Sequence, residues 1–264
     1  MNTSKCLKTC VFPMELAWGN VTANLRNLEE SIKLLKSDTD LLILPETFST
    51  GFPSFLNAEN LNLISQDEMR RTFETVRLLS SAYNLAIAGS MIVEDDRRYY
   101  NRGFFITPDG TIKFSDKKHL FSMAGENRFF HPGSSRMLIN YKGWNIAMII
   151  CYDIRFPVWC RNVANEYDIL LAVANWPSVR IGAWEKLLLA RAIENEAFVV
   201  GVNCKGTDNN GYDYNGSSMI VDFKGDPIGY QEHSFIYADL SYEKLQKFRK
   251  KFPAWQDADQ FKLI

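Results

Sequence analysis

The sequence predicts a layered α/β domain, on three observations. Short apolar runs alternate with amphipathic helical patterns through the first third of the chain. Those runs are apolar on both faces, as strands are when helices or a second sheet cover them. The chain has 264 residues, 46% hydrophobic and 13% aromatic, enough for one large core and for a single domain spanning 1–264.

The elements follow in order. "LKTCVFPM" (7–14) reads as a strand. Val21, Leu25, Leu28, Ile32 and Leu35 then recur at alternating spacings of four and three, the core stripe of an amphipathic helix. "DLLILPE" (40–46) is a short strand, "DEMRRTFETVRLLSSAY" (67–83) a helix and "NLAIAGSMIVE" (84–94) a strand. The order so far is β-α-β-α-β. Residues 97–120 break it: strands meet at the turn signal Pro108-Asp109-Gly110 with no helix between them. Two buried strands follow, in "GWNIAMIICYD" (143–153) and "YDILLAVANW" (167–176), then a helix over 183–197 and the strand "FVVGVN" (198–203). "SSMIVDFKGDPIGY" (217–230) reads as a hairpin turning at Gly225-Asp226. Pro253 interrupts the helical pattern that precedes it, so residues 245–264 read as an aromatic strap with Phe252, Trp255 and Phe261 as apolar anchors.

Composition narrows the function. Thirty basic residues against 31 acidic ones give a net charge of -1, with no field to draw nucleic acid or an anionic membrane. Five cysteines, Cys6, Cys10, Cys151, Cys160 and Cys204, are odd in number and lack paired CxxC spacing, which reads as reduced thiols in a cytoplasm. No secretory leader or membrane span is expected. No GxGxxG or P-loop supports a nucleotide cofactor, and no His/Cys/carboxylate cluster has metal-ligand spacing, so neither cofactor nor metal is expected.

Chemistry gathers where strands end. One apolar run finishes at Glu46, another at Cys151, and Lys117 and Lys118 follow a further strand. In α/β sheets the groups at strand carboxyl ends converge on a crevice. Taken singly, each residue has a plain structural reading: a packed thiol, a loop carboxylate, a solvated lysine pair. His119, two residues after Lys117, leaves a Cys-His hydrolase open on residue types alone.

"LPETFSTGF" around Glu46, "DKKHLFSMAGE" around Lys117 and "CYDIRFPVWCRN" around Cys151 closely resemble the three catalytic blocks of the nitrilase superfamily, the carbon-nitrogen hydrolases. "VANWP" (173–177), "ARAIENEAFVVGVN" (190–203) and "KFPAWQDADQF" (251–261) resemble its omega-amidase branch, in the bacterial form. The resemblance implies a four-layer α-β-β-α sandwich, a Glu46-Lys117-Cys151 triad, a second glutamate at Glu126 and a homodimer. It selects Lys117 over Lys118 and makes His119 structural. Cys151 would form a thioester, Glu46 would move protons, and Lys117 with the backbone N–H of Tyr152 would hold the oxyanion.

The implied substrate is a small dicarboxylic monoamide such as 2-oxoglutaramate or 2-oxosuccinamate. Arg155, four residues after the nucleophile, is the expected grip for its free carboxylate, against an alternative as an ion pair with Asp153 or another acid. Phe52, Phe156 and Trp176 would form an apolar wall around a flat 2-oxo group. The alternatives are another amidase or an N-carbamoyl hydrolase of the same superfamily, or a binding protein in which Cys151 only senses thiol chemistry.

Overall fold

The computed structural model describes residues 5–52 and 65–261. Two sheets stack face to face, each with helices on its outer side. The larger sheet holds β1 (Cys6–Val11), β2 (Leu41–Ile43), β3 (Ala86–Asp95), β4 (Arg98–Ile106) and β5 (Ile112–Asp116). It is completed by β13 (Tyr230–Glu232) and β14 (Phe235–Ser241), in the spatial order β13-β14-β1-β2-β3-β4-β5. The smaller sheet contains β6 (Met137–Tyr141), β7 (Trp144–Ile150), β8 (Ile169–Ala174), β9 (Phe198–Asn203) and β12 (Met219–Val221), in the order β12-β9-β8-β7-β6. The central pairs β1–β2, β2–β3, β7–β8 and β8–β9 are parallel, so their carboxyl ends point one way.

Alternation along the strands explains the four layers. Leu41 and Ile43 of β2, with Ile146, Met148 and Ile150 of β7 and Ile169, Leu171 and Val173 of β8, join one core between the sheets. Leu42 and Leu44 face the opposite way, into a second core with Leu25, Leu28 and Ile32 and with Met69 and Val76. Those residues belong to α1 (Val21–Ser31) with its 3-10 extension, and to α2 (Gln66–Tyr83). Ala147, Ile149, Leu170 and Ala172 likewise face a third core with Trp159 and Cys160 of the short α3 (Pro157–Cys160) and with Trp184, Leu188 and Ala192 of α4 (Ile181–Asn195). A strand apolar on both faces thus packs sheet on one side and helix on the other, the α-β-β-α sandwich the sequence implied.

Local signals set the element ends. Asn20 caps α1 through the backbone N–H of Ala23, and Ser65 with Glu68 forms a capping box on α2. At Pro108-Asp109-Gly110, Asp109 accepts from the Thr111 N–H at 3.0 Å and Gly110 takes a φ of +87°, closing the β4–β5 hairpin.

Two expectations take a narrower form. The hairpin at Gly225-Asp226 is short: the Asp222 N–H bonds the Asp226 carbonyl at 2.9 Å and the Ile228 N–H bonds the Ile220 carbonyl at 2.8 Å around an antiparallel Val221–Pro227 bridge, and the chain then crosses to the other sheet as β13. The tail continues as α5 (Tyr242–Lys251), after which Trp255 is half-buried while Phe252 and Phe261 stay 58% and 42% exposed. A polar link joins this tail to the body, from the Ala254 N–H to Glu196 at 3.1 Å. Residues 262–264 of the expected strap lie outside the described residues. Among the described residues no helix is long and apolar enough to cross a membrane.

Candidate active site

Four strands deliver side chains to one end of the sandwich. Glu46 follows β2, Lys117 follows β5, Cys151 follows β7 and Asn175 follows β8. They line a cavity of about 820 Å3.

The nucleophile candidate sits in strained backbone. Cys151 has a φ of +47°, a left-handed conformation that costs a non-glycine residue on the order of 1–3 kcal/mol. Asp153 holds the turn in place, accepting the Ile150 N–H at 3.1 Å and the His119 N–H at 2.8 Å. The His119 ring adds a third bond from Nδ1 at 2.9 Å. His119 therefore braces the turn and stacks on Phe156 at 3.7 Å, outside the cavity. Thr47, directly after Glu46, is a second outlier, with a φ of +40° in a β-branched residue. Its N–H is held by the Ser90 hydroxyl and its own hydroxyl by Asn175, both at 2.9 Å.

One ammonium lies between two carboxylates. Lys117 Nζ is 2.9 Å from Glu46 Oε1 and 3.0 Å from both oxygens of Glu126, and all three residues are buried. Glu46 also accepts from the Asn101 amide at 2.8 Å and from the Asn175 N–H at 2.9 Å. Glu126 accepts in addition from the Phe121 N–H. Position 133 must be glycine for this packing: its N–H bonds the Lys117 carbonyl at 2.8 Å, and a Cβ there would lie 2.0 Å from the Asp116 carbonyl oxygen.

Burial decides the protonation states. Loss of water works to lower the Lys117 pKa, but Glu126 and Glu46 outweigh it and hold the ammonium above its usual value. Burial pushes the Glu126 carboxyl up, with Lys117 opposing. Burial drives the Cys151 thiol well up, helped by the nearby Glu46 charge and opposed by Lys117. The residue is half-buried and lines the cavity. Cys151 thus rests as a protonated thiol beside a carboxylate that can take its proton.

The other expected residues divide. Tyr152, Arg155, Phe52 and Trp176 line the cavity. The Arg155 guanidinium lies 4.8 Å from the Trp176 ring centre and makes no ion pair with Asp153, whose oxygens His119 and Ile150 occupy. Phe156 is the exception, since stacking on His119 turns it away from the wall it was expected to join. Sequence reasoning passed over Asn101, Asn175, Arg180 and the hairpin of β10 (Lys205–Thr207) and β11 (Asp213–Asn215), which brings Asp208, Asn210, Tyr212 and Tyr214 to the cavity. Asn175 ends a buried strand as Glu46 and Cys151 do, and that signal was available.

Comparison with known proteins gives the family and the fold. The family model described as carbon-nitrogen hydrolase matches residues 11–250. The omega-amidase YafV of Escherichia coli K12 is 39% identical over 260 residues, 97% of this chain and 98% of that protein. The 2-oxoglutaramate amidase of Bacillus subtilis 168 is 29% identical over 97% of this chain and 96% of its own. A crystal structure of XC1258 from Xanthomonas campestris, a CN-hydrolase superfamily protein with an arsenic adduct in its active site, superposes with a TM-score of 0.88. It is 34% identical and covers 98% of this chain and 99% of its own.

Proposed function

Because this chain belongs to the carbon-nitrogen hydrolase family, we propose that it is an omega-amidase, cleaving the terminal amide of 2-oxoglutaramate or 2-oxosuccinamate to the dicarboxylic 2-oxo acid and ammonia. The observation that carries the chemistry is the Cys151 thiol sharing a cavity with Glu46, with Lys117 fixed between two carboxylates. Similarity to enzymes named omega-amidase and 2-oxoglutaramate amidase supports the substrate.

A carboxamide is a weak electrophile with a poor leaving group, so splitting hydrolysis into acylation and deacylation lowers the barrier. Cys151 Sγ attacks the carbonyl carbon while Glu46 takes the thiol proton. The tetrahedral oxyanion is met by Lys117 and the Tyr152 N–H, a kind of donor worth about 2.7–4 kcal/mol each. Collapse breaks the C–N bond as Glu46 hands its proton to the nitrogen, and ammonia departs from a thioester. Water then attacks the thioester, giving a proton to Glu46. The acid product leaves and the thiol is restored. Glu126 keeps Lys117 aimed through two charge-assisted hydrogen bonds.

Arg155 meets the substrate's free carboxylate, and Trp176 and Phe52 supply the apolar wall. A cytoplasmic place and a homodimer belong to the same reading. The five free cysteines support the first, and the exposed apolar side chains of Met123, Val179 and Phe252 support the second. Ammonia release from a panel of amides, without added metal, tests the assignment. It stands if 2-oxoglutaramate is hydrolysed faster than glutamine and falls if the order is reversed.

A further inference from the structure

A second arginine reaches the same cavity. Arg180 stands immediately before α4, and its guanidinium lies 5.6 Å from the Phe121 ring centre, as that of Arg155 lies over Trp176. Both line the cavity and both residues are exposed. Among the described residues neither has a carboxylate partner. The acids that share the cavity are engaged: Glu46 with Lys117, and Asp208 with the N–H groups of Asn210 and Tyr212 and the Tyr214 hydroxyl. Two ring-stacked cations therefore face one space without an ion pair of their own among the described residues. Stacking pre-orients a guanidinium fork, which reduces the entropy lost when it binds.

The acceptor count of the substrate explains a need for two. A 2-oxo acid head presents three oxygens close to one plane and no donor. One arginine fork satisfies the two carboxylate oxygens and leaves the 2-oxo oxygen without a partner. Resting on the omega-amidase reading, we propose that Arg180 is a specificity-determining residue that joins Arg155 in a two-guanidinium clamp on the 2-oxo acid head. The clamp also rejects the amino acid amide, whose α-ammonium would put positive charge and donors where the 2-oxo oxygen is received. Discrimination against glutamine then comes from a cation that repels its α-ammonium.

The test compares the parent with Arg180→Gln on 2-oxoglutaramate, on glutamine and on the neutral amide butyramide. The clamp predicts that the ratio of kcat/KM for 2-oxoglutaramate to that for butyramide falls by roughly 10-fold or more, and that glutamine gains relative to 2-oxoglutaramate. Arg180→Lys should recover part of the ratio. An unchanged ratio overturns the proposal, as does an equal loss on all three substrates. Titration of 2-oxoglutaramate into Cys151→Ala, with and without Arg180→Gln, separates the clamp from the chemistry. Binding weakened about 10-fold by the second substitution upholds the clamp even if the parent turns over no amide, a result that would defeat only the omega-amidase reading. Equal binding overturns it.

Discussion

Replacing Lys117 with methionine probes the centre of the site through stability rather than rate. Methionine keeps most of the length and apolar volume of the lysine stem but removes the ammonium. What remains is Glu46 facing Glu126 across a buried space, where each had been about 3 Å from the same cation. Removing one partner of a buried ion pair costs about 3–5 kcal/mol, because the remaining charge is left without compensation. For chains near this length each kcal/mol shifts Tm by roughly 2–4 °C, so the variant should melt about 6–20 °C below the parent at pH 7. The pH dependence has a definite sign. Burial already holds the Glu126 carboxyl above its unfolded pKa, and without the opposing ammonium it would stand higher still. Its contribution is then fully present below the unfolded value of about 4.3 and lost as pH rises. The gap between variant and parent should therefore widen from pH 5 to pH 8 in calorimetric melts. Adding Glu126→Gln should recover part of the loss, since one carboxylate then stays with its Asn101 and Asn175 donors. A Lys117→Met melt that matches the parent at pH 7, or a gap independent of pH, would refute this electrostatic reasoning.

Cys151→Ala should abolish ammonia release with little change in Tm, and Glu46→Gln should abolish it while retaining substrate affinity by calorimetry; turnover by either purified variant removes the triad. Arg155→Lys should lower kcat/KM for 2-oxoglutaramate by roughly 10-fold, the scale of a charge-assisted hydrogen bond, with a much smaller effect on a neutral short amide; equal losses would make Arg155 structural. Alkaline melts should report the buried thiols: burial pushes Cys160 up to about 12 against an unfolded value of about 8.5. Its contribution is whole below that unfolded value and declines as pH rises towards 12, by about 2 kcal/mol at pH 10. A Tm that is flat from pH 8 to pH 10.5 would contradict that shift.

The sequence made the strand carboxyl ends legible because a buried strand leaves an abrupt mark: "LLILPE" and "AMIIC" switch within one or two residues from apolar to reactive. Resemblance to the carbon-nitrogen hydrolases then brought in Glu126, which on its own reads as a carboxylate in a glycine-containing loop. Other features depend on contacts between distant segments. Asn101 lies inside β4, where nothing in the strand pattern shows that it reaches Glu46, 55 residues away. Arg180 precedes α4 and reads as a solvated helix-start residue until Phe121 is found against it. Phe156 was misplaced because adjacency to Arg155 says nothing of which way a ring turns, and here His119 receives it. The positive φ angles of Cys151 and Thr47 leave no trace in residue type, since neither is a glycine or an asparagine.

The measurement that bears most directly on the mechanism is a rapid acid quench during turnover of 2-oxoglutaramate, followed by peptide mapping of all five cysteines. The mechanism predicts an acyl group on the peptide carrying Cys151 and on no other, with ammonia released ahead of 2-oxoglutarate. An acyl group on Cys6, Cys10, Cys160 or Cys204 would contradict it. So would ammonia and 2-oxoglutarate formed together while Cys151 stays a free thiol.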